Sequence, residues 1–215
     1  MIIFCKYRHG LIKWWVGTDA FTLTTYPPGD RTWMVRIFFR RIIWRILWPF
    51  FEHWAVNSGL ADILIDFGIP RSKIKTISYP CNYPKIFDKK RHNVYTVLFY
   101  LPKHEKNKKY KLWVYGYDIL KQIEQAVDNV NFIWLDGKTY DMSQVFPVAD
   151  AYLKIVRQPG QEENLLGKEC KMNGIEVIEL DYNLDDKKNT DKLIGYIMYS
   201  RDKWIERNKY LGWND

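Results

Sequence analysis

Residues 151–180 read Ala-Tyr-Leu-Lys-Ile-Val-Arg-Gln-Pro-Gly-Gln-Glu-Glu-Asn-Leu-Leu-Gly-Lys-Glu-Cys-Lys-Met-Asn-Gly-Ile-Glu-Val-Ile-Glu-Leu. The apolar run over 151–156 has the length of a buried strand. A loop containing Pro159-Gly160 follows it, and the helical pattern over 164–173 stops at Gly174. A second apolar run covers 176–180. Strand, helix, strand in that order predicts parallel pairing, because parallel strands are joined by helical crossovers and not by hairpins.

The same alternation continues outward. Upstream lie a strand over 94–101, a basic loop over 103–111, a helix over 118–127, a strand over 131–135 and a short helix over 142–149; a final helix over 190–211 follows. This pattern predicts an α/β domain over 79–189, built on a Rossmann-type parallel sheet. Ligands in such sheets sit outside the carboxyl ends of the strands, so the loops after Leu101, Leu135 and Val156 are expected to line one crevice. Residues 1–78 read as a smaller α/β domain. Its elements are strands over 2–5 and 11–16, a basic-aromatic helix within 33–51, a capped helix opening at Asn57-Ser58, and a strand over 73–78. Residues 190–215 form a C-terminal helix able to pack back on the N-terminal domain.

At 215 residues, 47% hydrophobic and 17% aromatic, the chain can bury a proper core. A net charge of +8 points to a partner carrying phosphate: nucleic acid, anionic lipid or a phosphorylated small molecule. Cys5, Cys81 and Cys170 are too scattered for a disulfide framework or a zinc site. No metal is expected, and the compartment reads as reducing and cytoplasmic. The start of the chain reads as lacking a cleavable signal, and no long uncharged apolar run predicts a spanning helix.

The basic-aromatic helix runs from Met34 until Pro49 stops it. At about 100° per residue, Val35, Phe38, Phe39, Ile42, Ile43 and Ile46 share one broad apolar face. Arg36, Arg40, Arg41 and Arg45 lie on the other side, with Ile37, Trp44 and Trp48 among them. Arginine mixed with tryptophan suits a helix resting on an anionic bilayer, with peripheral attachment at the inner membrane face as the expectation. The competing reading packs that side under a loop or a neighbouring domain.

In the expected crevice, Lys103 to Lys111 supply ammoniums for a diphosphate, and Tyr115-Gly116 opens the next helix; a solvated basic loop is the plainer reading. Asp136-Gly137 follows the next strand, where a glycine lets a ligand approach the backbone. Arg157 leaves the third strand as a candidate phosphate clamp, with Gly160, Gln161 and Glu162 beyond it. Glu169, read at the start of its helix, can accept two hydrogen bonds from a ribose diol or serve as ordinary capping.

The run Glu169-Cys170-Lys171-Met172-Asn173-Gly174-Ile175-Glu176-Val177-Ile178 resembles the donor-site segment of GT-B-fold glycosyltransferases, in particular the retaining, nucleotide-sugar-dependent group. Trp15-Val16-Gly17-Thr18-Asp19 is similar to a turn of some members. The stretches 57–69 and 97–118 agree in order, so the likeness spans about two-thirds of the chain. It implies transfer of a sugar from a nucleoside-diphosphate sugar to an acceptor hydroxyl without a bound metal or cofactor. Glu169, Lys103, Lys111, Tyr115, Gly116, Gly137, Gly160 and Gln161 would hold the donor; Asp19, Arg157 and Glu162 would carry the chemistry. For Asp19 an Asx turn is the alternative. Two features depart from the family. The position eight residues before Glu169 is Gln161, with Glu162 beside it, where members often have an acid. About 75 residues precede the boundary, so the acceptor domain is expected to be reduced. Other readings are a non-catalytic nucleotide- or sugar-binding module, and a nucleic-acid-binding protein, which is disfavoured because the lysines and arginines occupy separate segments. A homo-oligomer is a further partner expectation.

Overall fold

The computed structural model describes residues 2–4, 11–15, 23, 31–77, 86–101, 109–137, 139–155, 157, 165–181 and 184–211. The chain is α/β with parallel sheets, and it divides into two compact units, residues 1–81 and residues 82–157 with 165–215.

The first unit orders its strands β1 (Ile2–Phe4), β2 (Leu11–Trp15), β3 (Phe51–Ala55) and β4 (Ile74–Thr76) side by side. β1 runs antiparallel to β2, while β2, β3 and β4 are parallel, with Lys13 opposite His53 and His53 opposite Ile74. Central β3 is absent from the sequence expectation. Its Phe51, His53 and Ala55 alternate inward, but Glu52 and His53 disguise the apolar period and no polar loop separates it from the preceding helix. Two helices belong to this unit: α1 (Arg31–Leu47), followed by a 3-10 turn through Pro49, and α2 (Ser58–Asp66). The Asn57 Oδ1 accepts from the Leu60 backbone N–H at 2.8 Å, a cap that contributes about 1 kcal/mol. Gly68 ends the α2 turn at φ +103°, a backbone region that favours glycine.

α1 faces opposite to the membrane reading of its sequence. Ile37 and Trp44 are buried and Trp48 is half-buried, so the tryptophan side packs inward. The ring of Trp44 lies 4.9 Å from that of Trp15 and 5.5 Å from that of Phe51, centroid to centroid. Trp44 and Trp48 are therefore not available to rest on a bilayer. Arg40 and Arg41 are partly buried alongside them, while Arg36 and Arg45 are exposed. A large indole contributes more buried area than an isoleucine, and arginine stems can cover apolar surface while the guanidinium reaches outward.

The second unit has four strands, all parallel, in the order β6 (Val130–Leu135), β5 (Tyr95–Tyr100), β7 (Ala151–Lys154), β8 (Glu176–Glu179). Its helices are α3 (Lys109–Val114), α4 (Tyr117–Ala126), α5 (Met142–Val145), α6 (Leu165–Met172) and α7 (Asp186–Tyr210). Strand residues alternate between the two faces. Val97, Phe99 and Leu153 pack with Ile119, Leu120 and Ile123 of α4 and Leu193, Ile197 and Trp204 of α7. Leu98 and Tyr152 pack on the opposite face with Val145 of α5 and Cys170 of α6. Both faces are covered, which explains why these strands read as nearly continuous apolar runs.

Two elements differ from expectation here. The end of the lysine-rich segment read as a loop, residues 109–111, is helical and opens α3. The C-terminal helix puts Leu193, Ile197 and Trp204 into the core of the second unit.

Candidate functional site

In the second unit the strand order reverses at β5, which has β6 on one side and β7 on the other. Crossovers leaving a reversal point in opposite directions open a crevice at the carboxyl edge of the sheet. The described part of that edge is built from Tyr100 at the end of β5 and Leu101 after it, Tyr115-Gly116 between α3 and α4, Asp136-Gly137 after β6, and Ile155 and Arg157 after β7. Of the lysines expected beside it, Lys103 is outside the described residues, and Lys111 is in α3 with its side chain outside them. Asp19, Gly160, Gln161 and Glu162 also lie outside the described residues.

Gly116 is required for packing. It sits at φ +63°, and a Cβ there would lie 2.0 Å from Ile155 Cγ2. Its backbone N–H donates to the Trp113 carbonyl at 3.0 Å. Ile155 therefore occupies the side of Gly116 that a Cβ would take. Gly137, at φ +77°, is exposed, and a Cβ there would meet Tyr100 Oη first, at 3.5 Å. Beside it the Asp136 carboxylate accepts from the Thr139 backbone N–H at 2.6 Å and from the Thr139 hydroxyl, which closes the turn. Tyr115 stands edge-on to Tyr100 with ring centroids 5.9 Å apart. Burial, with the Asp136 charge adding, pushes the Tyr100 phenol up from its ordinary value.

Arg157 has a different job from the expected clamp. Its Nη1 donates to Asp118 Oδ1 and to the Trp113 carbonyl, both at 2.8 Å. Nη2 donates to Asp118 Oδ2 and to Asp186 Oδ2, both at 2.9 Å, and Nε donates to Asp186 Oδ1 at 3.2 Å. A guanidinium has five N–H donors, and all five are engaged. None is left for a phosphate in this structure. Asp118 lies in the first turn of α4 and Asp186 in the first turn of α7, so Arg157 ties two helix starts to the exit of β7. Burial raises the Asp118 pKa, but the hydrogen bonds and charge of Arg157 outweigh it and hold the carboxyl below its ordinary value.

Glu169 also sits differently from its expected place. α6 begins at Leu165, so Glu169 is beyond the first turn and does not cap the helix. It is half-buried, and its carboxylate makes no hydrogen bond or ion pair among the described residues. Desolvation alone pushes its carboxyl pKa up. A carboxylate stripped of water without a partner is destabilising to the fold, and groups of this kind cluster at binding sites. The neighbouring Cys170 is core: burial, with the Glu169 charge adding, pushes its thiol up to about 12.

Two clusters escape sequence reasoning. In the first unit His53 is fully buried; its Nδ1 accepts from the Trp15 indole N–H at 2.9 Å, so Nε2 carries the proton that points to the Trp48 carbonyl at 3.1 Å. Lys13 is buried beside it, with Nζ 4.7 Å from the Trp15 ring centroid. In the second unit a groove of about 910 Å³ opens at the amino ends of the strands, lined among others by His92, Tyr95, Asp150, Glu176, Trp204 and Arg207. There His92 Nε2 lies 3.4 Å from Asp150 Oδ1, its ring stacks on Trp204, and the Ser200 hydroxyl donates to Glu176 at 2.5 Å. Spacing in sequence could not bring Asp150 and His92 together, since 58 residues separate them.

Among the described residues no group of three or more His, Cys, Asp or Glu could hold a metal ion, and no helix is long and apolar enough to cross a membrane. No known family model, curated protein or solved structure matches this chain.

Proposed function

We propose that the second unit binds a nucleoside-diphosphate sugar at the carboxyl edge around β5 and β7, and that the chain is a GT-B-type glycosyltransferase. The observation that carries the reading is the reversal of strand order at β5, the place where parallel α/β sheets take up nucleotides. The half-buried Glu169 on the helix after β7, without a partner among the described residues, supports it, because ribose hydroxyls would supply the donors that this carboxylate lacks. In the reaction the bond from the anomeric carbon to the diphosphate oxygen breaks and a bond from that carbon to the acceptor oxygen forms. The acceptor proton passes to a carboxylate, for which Asp19 and Glu162 are the candidates, and the diphosphate leaves with the electron pair. Lysines of the 103–111 segment would neutralise it. Arg157 acts as a positioning residue that fixes the starts of α4 and α7. The working compartment in this proposal is cytoplasmic.

A second reading, a non-catalytic nucleotide-sugar-binding module, is favoured by one observation: the best-placed arginine is saturated by Asp118 and Asp186. Mass-spectrometric detection of sugar release or transfer from UDP-, GDP- and ADP-sugars separates the two readings. Donor binding with turnover that falls at least tenfold in Asp19→Asn or Glu162→Gln supports transfer. Binding without turnover supports the module, and a salt-sensitive response to an oligonucleotide alone contradicts both.

A further inference from the structure

We propose that α1 docks the chain on an anionic phospholipid surface through the apolar face it turns to solvent. The proposal rests on the first unit alone and is independent of the transferase reading.

Val35, Phe38, Phe39, Ile42, Ile43 and Ile46 are 41–63% exposed, and Phe50 just beyond is 69% exposed. At about 100° per residue the six helical positions span an arc of roughly 140°, and they extend along about 18 Å of helix axis. Arg41 and Arg45 border the arc on one side, and Arg36 and Arg40 on the other. Trp44 points the opposite way, into the core of the first unit, and Ile37 on the same side of the helix is buried. Single exposed isoleucines are ordinary on a protein surface; a contiguous stripe of phenylalanine and isoleucine is a contact surface.

Charge decides the occupant. Residues 31–51 contain five arginines and no aspartate or glutamate. A second copy laid on this face would bring arginine against arginine with no carboxylate on the helix to pair with them. Lipid phosphates match the exposed Arg36 and Arg45, one on each border, while the apolar arc enters the boundary between headgroups and acyl chains. With only one face apolar, α1 lies along the surface and does not cross it. The tryptophan side, which the sequence alone would place on the bilayer, instead holds the helix to its own sheet.

The test is co-sedimentation of the full chain with vesicles of phosphatidylcholine and phosphatidylglycerol, against phosphatidylcholine alone. Phe39→Ser/Ile46→Ser removes the middle of the arc, and Arg36→Gln/Arg45→Gln removes exposed border charge. Neither pair is in the core, and an unchanged urea midpoint verifies that both fold. Wild type is expected to pellet with the mixed vesicles; the serine pair loses at least about tenfold of that partition. The glutamine pair loses about tenfold on mixed vesicles and little on neutral ones. Wild type remaining in the supernatant with mixed vesicles overturns the proposal, as does pelleting that the serine pair leaves unchanged. A dimer of the free chain that the serine pair dissociates would give the face to a second copy, and the lipid proposal would fall.

Discussion

Helices α1 and α4 each lie in a unit whose central strands run parallel, yet they bury opposite kinds of face. α4 buries Ile119, Leu120 and Ile123 against β5 and β7 and leaves Gln122, Gln125 and Ala126 outside. α1 buries a narrow side that includes Ile37 and Trp44 and leaves eight large apolar residues in solvent. Periodicity establishes which residues share a face; what the sheet offers in return establishes which face goes inward. In the first unit the sheet offers an aromatic cluster of Trp15, Phe51 and His53, and Trp44 is the side chain of α1 that fits it.

The sharpest way to break this contrast is to exchange truncations between the two sides of α1. Trp44→Ala should destabilise the first unit by about 3–5 kcal/mol, as truncation of a buried tryptophan does. Phe39→Ser, on the outer side, should stay within about 0.5 kcal/mol. Urea unfolding of the two variants checks this, and equal losses would mean that the outer face is packed.

Gly116 offers a comparable loss in the other unit. Alanine there meets Ile155 and must adopt a left-handed backbone, so about 3–4 kcal/mol of stability should disappear, again read from urea unfolding. Arg157→Lys should cost less, about 2 kcal/mol. It keeps the charge but loses the fork that joins Asp118 to Asp186, and both carboxylates are more than half exposed and regain water. If Arg157 were instead a ligand clamp, the same substitution would leave stability unchanged and weaken donor binding.

The smallest expected effect is one of sign, and it separates the units by pH. Burial, helped by the charges of Lys73 and Lys13, lowers the His53 pKa below 6.5 against the opposing Trp48 carbonyl. Its contribution is present above pH 6.5 and lost as pH falls through the lowered value. The hydrogen bond to Asp150 raises the His92 pKa above 6.5 in spite of burial. Its contribution is full below pH 6.5 and lost as pH rises through the raised value. Urea midpoints from pH 5 to 8 should show the acid loss vanish in His53→Gln and the alkaline loss vanish in His92→Gln.

The alternation of the second unit is legible in the sequence because strands buried on both faces write themselves as apolar runs between helical patterns. Strand β3 is not, since its inward positions include a histidine whose partners, Trp15 and the Trp48 carbonyl, make it acceptable in a core. Helix α3 hides among lysines that read as a solvated loop. The role of Arg157 is illegible for a topological reason: Asp118 and Asp186 lie 39 and 29 residues away and meet it only when α4 and α7 start at the same edge. Gly116 stands out in the sequence at a helix start, but its need for glycine comes from Ile155, 39 residues away, which no local pattern reveals.

Calorimetric titration of the chain with UDP-, GDP- and ADP-sugars tests the central claim most directly. Saturable binding of one nucleotide class, weakened at least about tenfold in Glu169→Gln while the urea midpoint is kept or raised, is the predicted result. No heat with any donor, or binding indifferent to that substitution, would contradict it.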